Sequence, residues 1–150
     1  MAKVPVILKI EGFKDREVAS LTYSFNQTVD KDGQVTDIPR GGLIVVRVKA
    51  MNDGNTELFS WMAEKKQHKM GQIYFADSTS GNRMKAIFFW NAYCVNFVEH
   101  WEDTFYNAPL AHWEEITISC QTFKLENIIF ENDWSVTGRA PDKKDPDAEQ

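Results

Sequence analysis

Acidic residues with the spacing of a calcium-binding loop occur in the segment Asp30-Lys31-Asp32-Gly33. In the matching EF-hand register, Thr28 and Pro39 would occupy the first and twelfth ligand positions, where carboxylates are required. The flanking residues also have strand patterns, whereas an EF-hand needs helices. A turn in which Asp accepts backbone hydrogen bonds and Gly adopts a positive φ explains the same residues. We therefore predict a turn here and no calcium site.

Histidines and adjacent carboxylates are the other candidates for chemistry. His68, His100 and His112 are isolated, with no HxxxH or Cys-x-x-Cys spacing near them, so the sequence predicts no metal site. Glu114-Glu115 could act as an acid–base pair, but neighbouring residues on a strand point to opposite faces, and we interpret both as solvated rim charges. The sequence has no nucleophile elbow and no phosphate-binding glycine loop. It predicts no catalytic, cofactor-binding or metal-binding residue. We therefore do not expect the protein to be an enzyme.

Charge and hydropathy exclude two further classes of partner. The chain of 150 residues has a net charge of −5 and a pI near 5.2, so it lacks the basic excess that nucleic-acid binding requires. No apolar run reaches membrane-spanning length, and the N-terminus lacks the features of a secretory signal. We therefore expect synthesis in the cytoplasm, where Cys94 and Cys120 are predicted to be reduced thiols in the core.

Two strands have a clear alternation of apolar and polar residues. After Arg40-Gly41-Gly42, the residues Ile44, Val46 and Val48 fall on one face of a strand. A preceding strand places Leu21, Tyr23 and Phe25 on one face, and its other face is polar. The residues of that polar face are Ser20, Thr22 and Ser24.

One helix follows the turn Asn52-Asp53-Gly54. Asn55 is suited to the N-cap, and the apolar spacing predicts a helix over about residues 55–67. Its outward side carries Glu64, Lys65 and Lys66. Its apolar face is predicted to consist of Leu58, Phe59, Met62 and Ala63, with Trp61 on the flank.

The remaining segments read as further short strands. They are residues 4–10, a hairpin of 72–76 with 84–90, then 92–101, 116–125 and 128–130. The total of seven or eight strands with one helix favours a mainly β fold, a small barrel or a sandwich. Residues 1–134 are expected to form this single domain. Residues 135–150 are rich in charge and Pro and are predicted to be a disordered tail.

Several of these segments together resemble the haemolysin-coregulated protein family, Hcp (TssD), the tube proteins of the bacterial type VI secretion system, in their Bacteroidetes form. The resemblance extends over roughly residues 2–134. The segments that carry it are Arg40-Gly41-Gly42, Ile44-Val45-Val46-x-Val48, Leu58-Phe59-x-Trp61-Met62, Asn91-Ala92-Tyr93-Cys94-Val95-x-Phe97-x-Glu99 and Glu115-Ile116-Thr117-Ile118-Ser119.

The resemblance implies a small β-barrel of two antiparallel sheets with one flanking helix. It also implies a homohexameric ring, and rings that stack into a tube propelled by a contractile sheath. Effector proteins and the spike protein at the tube tip are the other expected partners, and the type VI machine is expected to export the protein to the outside or into a target cell. No cofactor, nucleic acid or membrane insertion is implied.

A segment between two predicted strands, Asp30–Arg40, is longer than an ordinary hairpin connection, and we call it the arm. By resemblance it is expected to contact neighbouring subunits or stacked rings. The arm residues concerned are Asp30, Lys31, Asp32, Gly33, Gln34, Val35, Thr36, Asp37, Ile38 and Arg40. On the helix, Glu64, Lys65 and Lys66 are expected near subunit or ring contacts, and the polar face of Ser20, Thr22 and Ser24 is a candidate lining of the lumen.

Three other interpretations remain open at this stage. A tail-tube protein of a phage or another contractile injection particle would share the architecture and differ in its partners. A ligand-binding β-barrel would use the aromatic residues to line a cavity. A small hydrolase on a β scaffold is the third.

Overall fold

The computed structural model describes most of the chain between Pro5 and Asn132. The described ranges are residues 5–27, 29–35, 40–51, 53–64, 67–77, 79–80, 82–103 and 112–132. In chain order, the elements are β1 (Val6–Ile10), β2 (Arg16–Asn26), β3 (Arg40–Lys49), α1 (Glu57–Ala63), β4 (Lys69–Ala76), β5 (Arg83–Trp101), β6 (His112–Leu125) and β7 (Ile128–Glu131).

The strands form one antiparallel sheet that closes into a barrel. The strand order is β3-β2-β1-β4-β5-β6-β7, and an additional pairing of β3 with β6 closes six of the strands. In that pairing Leu43 lies opposite Ser119, and Lys49 lies opposite Trp113. Strand β7 continues along the same edge of β6. The predicted mainly β barrel with one helix is confirmed, and its strands form one continuous sheet where two sheets were expected.

The interior of the barrel is filled by side chains from the inward faces of the strands. Ile44, Val46 and Val48 of β3 are fully buried, as the alternation in the sequence predicts. Ile116 and Ile118 of β6 meet them across the closing pair of strands. The same core receives Leu8, Ile73, Ile87 and Phe89 from the other strands. Such a filled interior is typical of small barrels.

Strand β5 is a single strand of 19 residues, where the sequence predicted two strands, 84–90 and 92–101. The prediction was wrong because the inward-facing residues switch from odd-numbered to even-numbered positions in the middle of the strand. Ile87 and Phe89 face the core before this point, whereas Ala92 and Cys94 face it afterwards. Asn91 lies at the change and has a positive φ of 52°. Its local twist interrupts the alternation without interrupting the strand.

Helix α1 is shorter than the predicted 55–67, and it presents a different face to the barrel. Glu57 is its first residue and Ala63 its last, because Glu64 is already extended. Leu58 and Trp61 are the buried residues of the helix. The predicted apolar face was therefore wrong for three of its members. Phe59, Met62 and Ala63 are exposed.

The start of the helix is held by side chains of the preceding turn. Thr56 occupies the N-cap position without a side-chain capping bond. Asn55, which was predicted as the N-cap, instead accepts a hydrogen bond from the backbone N–H of Glu57 at 3.0 Å. The Glu57 carboxylate in turn accepts a hydrogen bond from the backbone N–H of Lys14 at 3.1 Å. The helix is thereby tied to the β1–β2 turn.

The barrel has two distinct ends. The arm end carries the β2–β3, β4–β5 and β6–β7 connections, and the helix end carries α1 together with the β1–β2 and β5–β6 connections. At the helix end, the rings of Phe13 and Trp61 meet edge to face at 6.2 Å between centroids. The arm and the helix therefore lie at opposite ends of the same barrel.

Both cysteines are free and buried, as predicted for core thiols. Cys94 lies on β5 and Cys120 lies on β6, and both contribute to the core. Burial raises the pKa of Cys94 to about 11 and that of Cys120 to about 12, because the apolar surroundings disfavour the thiolate. Both side chains are therefore neutral thiols in the folded protein at neutral pH.

Candidate assembly surfaces

The first part of the arm is a small hairpin organised by one aspartate. Val29 and Val35 form an antiparallel bridge, and Gly33 adopts a φ of +83° in the turn between them. The Asp30 carboxylate oxygen Oδ1 accepts hydrogen bonds from the backbone N–H groups of Asp32 and Gln34, each at 2.9 Å. Asp and Gly thus act as turn residues, in agreement with the predicted turn.

The hairpin presents two apolar side chains to solvent. Val29 is 56% exposed and Val35 is 60% exposed, and the bridge holds them side by side. Lys31, Asp32 and Gln34 are also exposed. Of the remaining arm residues, Arg40 has its backbone in β3, paired with Asn26. Thr36, Asp37 and Ile38 lie outside the described residues.

The predicted polar face of β2 is exposed in the structure and continues across two neighbouring strands. Ser24 pairs with Leu43, Thr22 with Val45 and Ser20 with Arg47. The next strand adds Ser119, Thr117 and Glu115 beside the same β3 residues. These three rows form a surface in which small hydroxyl side chains of β2 and β6 flank Leu43, Val45 and Arg47 of β3. We call it the hydroxyl face.

A groove runs along one edge of β2. Beyond Glu17, the pairing partners of β2 within the described ranges all belong to β3, so its other edge diverges from β1. The groove between them is open and has a volume of about 430 Å³. Val6 and Phe75 line one side, and the β2 segment from Val18 to Tyr23 lines the other. An edge of this kind can accept an extended segment by backbone hydrogen bonding.

The helix end exposes a second apolar surface. Phe59 is 55% exposed, and its ring meets Phe97 edge to face at 5.4 Å between centroids. Met62 on the same helix and Trp101 at the end of β5 are also exposed. Glu64, which was predicted near subunit contacts, is exposed just after the helix. Lys65 and Lys66 lie outside the described residues.

A buried ion pair, which sequence reasoning missed, fixes the helix end of the barrel. Arg16 Nη2 donates to Glu114 Oε2 at 2.6 Å and to the Lys49 backbone carbonyl at 2.8 Å. Both charged side chains are almost completely buried. Glu114 had been interpreted as a solvated rim charge. The strand alternation could have revealed that both side chains point inward. Arg16 lies two residues before the inward Val18, and Glu114 lies two residues before the inward Ile116.

Its neighbour Glu115 points outward, as the strand geometry predicts. Arg47 donates to Glu115 Oε1 at 3.1 Å and lies over the Trp113 ring at 3.7 Å from its centroid. On the neighbouring strand β5, the His100 ring stacks against the Trp113 ring at 4.9 Å between centroids. The two adjacent glutamates therefore serve two separate ion pairs, and they do not form an acid–base pair.

The histidines remain apart in the structure. His112 Nε2 lies 2.7 Å from Glu99 Oε2, and His68 contacts Tyr93. Within the described ranges, no group of three or more His, Cys, Asp or Glu side chains could hold a metal ion. The same ranges contain no helix that is long and apolar enough to cross a membrane.

Several solved structures share this fold. Hcp1 from Flavobacterium johnsoniae is 29% identical with a TM-score of 0.77, over 85% of this chain and 99% of that one. Hcp1 from E. coli EAEC 042 is 14% identical with a TM-score of 0.67, over 88% and 100% of the two chains. The sheath–tube complex of an extracellular contractile injection system, PVC, contains a chain that is 18% identical with a TM-score of 0.56, over 82% and 88%. No curated protein sequence matches the chain significantly.

The barrel, the one helix of the described residues and these likenesses define a class by its fold, which is shared by Hcp proteins and by a chain of a contractile sheath–tube complex. Within that class, the sequence profile of the haemolysin-coregulated protein Hcp (TssD) matches residues 2–135. The chain therefore belongs to the Hcp (TssD) family, and it is a tube subunit of a type VI secretion system. The expected resemblance to the Bacteroidetes form is confirmed by the Flavobacterium protein.

Proposed function

We propose that this subunit forms homohexameric rings that stack into the inner tube of a type VI secretion system. The observation that carries this proposal is the placement of two different apolar surfaces at opposite ends of one barrel. Val29 and Val35 are exposed at the arm end, and Phe59 and Met62 are exposed at the helix end. A head-to-tail arrangement brings unlike ends together and repeats without limit, as a tube requires.

Within this proposal, the arm makes the contact between stacked rings. The Asp30 carboxylate preorganises the hairpin, so little conformational entropy is lost when the two valines are buried. The groove beside β2 is the candidate contact between subunits of the same ring, because a neighbouring segment there would pair the open strand edge. Glu64, Lys65 and Lys66 belong to the helix-end contact.

The hydroxyl face is proposed to line the lumen of the tube. Ser20, Thr22 and Ser24 supply small, uncharged groups that remain hydrated when no partner covers them. Such a surface can pass close to a folded protein without binding it strongly. Effector proteins inside the ring, the spike at the tube tip and the contractile sheath outside it are the proposed partners, and export through the machine is the proposed destination.

One alternative has an observation in its favour. The likeness to a chain of the PVC sheath–tube complex fits a tube protein of an extracellular injection particle. A ligand-binding barrel is disfavoured because the described interior is packed with fully buried aliphatic and aromatic side chains. The genes beside the coding sequence would separate the two tube assignments. Genes for a sheath and a spike are expected in both cases, and genes for a membrane-anchored baseplate are expected only with a type VI system.

Deletion of Lys31–Ile38 tests the role of the arm directly. The deletion leaves every named strand intact, so the variant should fold and still form rings. Negative-stain electron microscopy should show single rings and no tubes. Tubes of normal length from the variant would contradict the proposed stacking contact.

A further inference from the structure

The hydroxyl face is followed at its helix end by larger side chains on β3, β6 and β5. Residues directly opposite each other on antiparallel strands point to the same side of the sheet, so the strand register places these side chains together. The two rows concerned are Arg47, Glu115 and Val98, and then Lys49, Trp113 and His100. Rings, one aliphatic side chain and charges thus replace the hydroxyl groups here. We call Val98, His100 and Trp113 the aromatic platform.

The indole ring of Trp113 is held between two neighbouring strands. The Arg47 guanidinium lies over it at 3.7 Å from the ring centroid, and the His100 ring stacks against it at 4.9 Å between centroids. Arg47 belongs to β3 and His100 belongs to β5, the strands that pair with β6 on either side. Glu115 Oε1 accepts a hydrogen bond from Arg47 Nη2 at 3.1 Å and so orients the guanidinium. Because the indole ring is already ordered, a partner that contacts it loses little conformational entropy on binding.

The charged side chains beside the platform are paired with one another. Arg47 donates to Glu115, and Lys49 Nζ donates to Glu17 Oε1 at 2.8 Å. Each pair joins one cation to one carboxylate, so these four side chains contribute no net charge. They therefore do not favour a strongly charged partner surface. The groups left for contact are the two rings and Val98, which is 40% exposed, and such groups bind by apolar contact.

We propose that the aromatic platform is the part of the lumen that binds cargo, and that it selects an uncharged patch bearing an aromatic or aliphatic side chain on the carried protein. This inference rests on the proposed position of the hydroxyl face in the lumen. Trp and Arg are enriched among the residues that dominate binding energy at protein interfaces, whereas Ser and Thr are under-represented there. Each subunit supplies one platform, so weak contacts around a ring of subunits combine through multivalency. Cargo binding is thereby concentrated at the helix-end rim of each ring, and the hydroxyl face itself remains weakly binding.

Fluorine NMR on assembled rings that contain 5-fluorotryptophan tests this selectivity. The Trp113 resonance is identified by its absence in the Trp113→Phe variant. The neutral probe N-acetylphenylalaninamide should shift that resonance at a concentration at least fivefold lower than the charged probes N-acetyllysinamide and N-acetylaspartic acid amide. Added salt should leave the shift unchanged. No shift with the phenylalanine amide, or an equal response to the charged amides, would overturn the proposal.

Two surface substitutions distinguish the platform from the rest of the face. Val98→Ser removes the exposed aliphatic group of the platform, and it should raise the dissociation constant of N-acetylphenylalaninamide at least threefold. Leu43→Ser is the matched control, because Leu43 is 52% exposed on the same face but lies between Ser24 and Ser119. This control should bind the probe as the unchanged protein does. Equal weakening in both variants would contradict a specific platform.

The same titration of ring-free subunits separates this inference from the tube assignment. The Trp113 resonance should respond alike in subunits and in assembled rings. A response in subunits that disappears in rings would show that a neighbouring subunit covers the platform, and it would overturn the proposal. A protein that forms no rings would contradict the tube assignment by itself. In that case a preference of the subunits for the phenylalanine amide would still support the platform as a binding site, and no preference would overturn it.

Discussion

Arg16 and Glu114 form a nearly inaccessible ion pair, 2.6 Å between Nη2 and Oε2, that joins β2 to β6 at the helix end of the barrel. The two strands are not hydrogen-bonded neighbours, because β3 lies between them. Arg16 also donates to the Lys49 carbonyl of β3, so one guanidinium connects three strands. Its Nε and Nη1 have no partner among the described residues, which makes the pair costly to bury.

Removal of one partner should destabilise the fold much more than removal of both. Arg16→Met or Glu114→Leu leaves a buried charge without its counter-ion, at a cost of about 3–5 kcal/mol. The double variant Arg16→Met/Glu114→Leu should be close to wild type in stability or above it. Urea unfolding of the four proteins measures the coupling. Single variants within about 1 kcal/mol of wild type would show that the pair carries little structural role.

Tube formation should depend on the two exposed valines of the arm hairpin. Val29→Thr/Val35→Thr keeps the β-branched shape but makes the contact surface polar, so the variant should form rings and lose tubes in electron micrographs. Ile128→Thr/Ile129→Thr is the matched control, since these exposed residues also lie at the arm end but on β7, outside the arm hairpin. Tubes from the arm variant, or equal loss of tubes in both variants, would count against a specific arm contact.

The hydroxyl face should be accessible only to small molecules once a tube has formed. Thr22→Cys places a thiol on this face without adding charge. In assembled tubes a small maleimide should label this thiol. A maleimide carrying a large poly(ethylene glycol) chain should not reach it, because the intact tube wall keeps the reagent out of the lumen. In isolated subunits both reagents should react. Equal labelling by the large reagent in tubes and subunits would place this face on the outside.

The two cysteines make the folded protein less stable in strong alkali. The folded-state pKa values are raised to about 11 for Cys94 and about 12 for Cys120, from an ordinary value of 9.0. The unfolded thiols therefore ionise first, and their contribution to stability, complete below pH 9, is lost as the pH rises toward 11.

Two measurements follow from these thiols. Native protein at pH 8 should not react with a thiol reagent, whereas unfolded protein should show two thiols. The urea midpoint should fall more steeply between pH 9 and 11 in wild type than in Cys94→Ala/Cys120→Ala. Parallel pH profiles would show that the thiols do not contribute.

The sequence predicted the barrel well where one apolar face alternates with one polar face. The inward Ile44, Val46 and Val48 and the outward Ser20, Thr22 and Ser24 are the clearest cases. Prediction failed where two faces look alike. On α1 the apolar residues surround most of the helix, so spacing alone could not show that Leu58 and Trp61 face inward while Phe59 does not.

Other features depend on contacts between distant parts of the chain. Glu114 shares the inward register of Ile116, but its counter-ion Arg16 lies 98 positions away, so no local pattern contains the ion pair itself. The switch of inward-facing positions at Asn91 depends on its positive φ. The identity of one residue does not predict that backbone angle. The assembly surfaces follow from the relative placement of the two ends of the barrel, which no local pattern contains.

The most direct test of the tube assignment is the mass and symmetry of the purified protein. Size exclusion with light scattering should give about six times the subunit mass of 17.3 kDa, and class averages from electron microscopy should show six-fold rings. A monomer that persists at high protein concentration, with no rings in micrographs, would contradict the account.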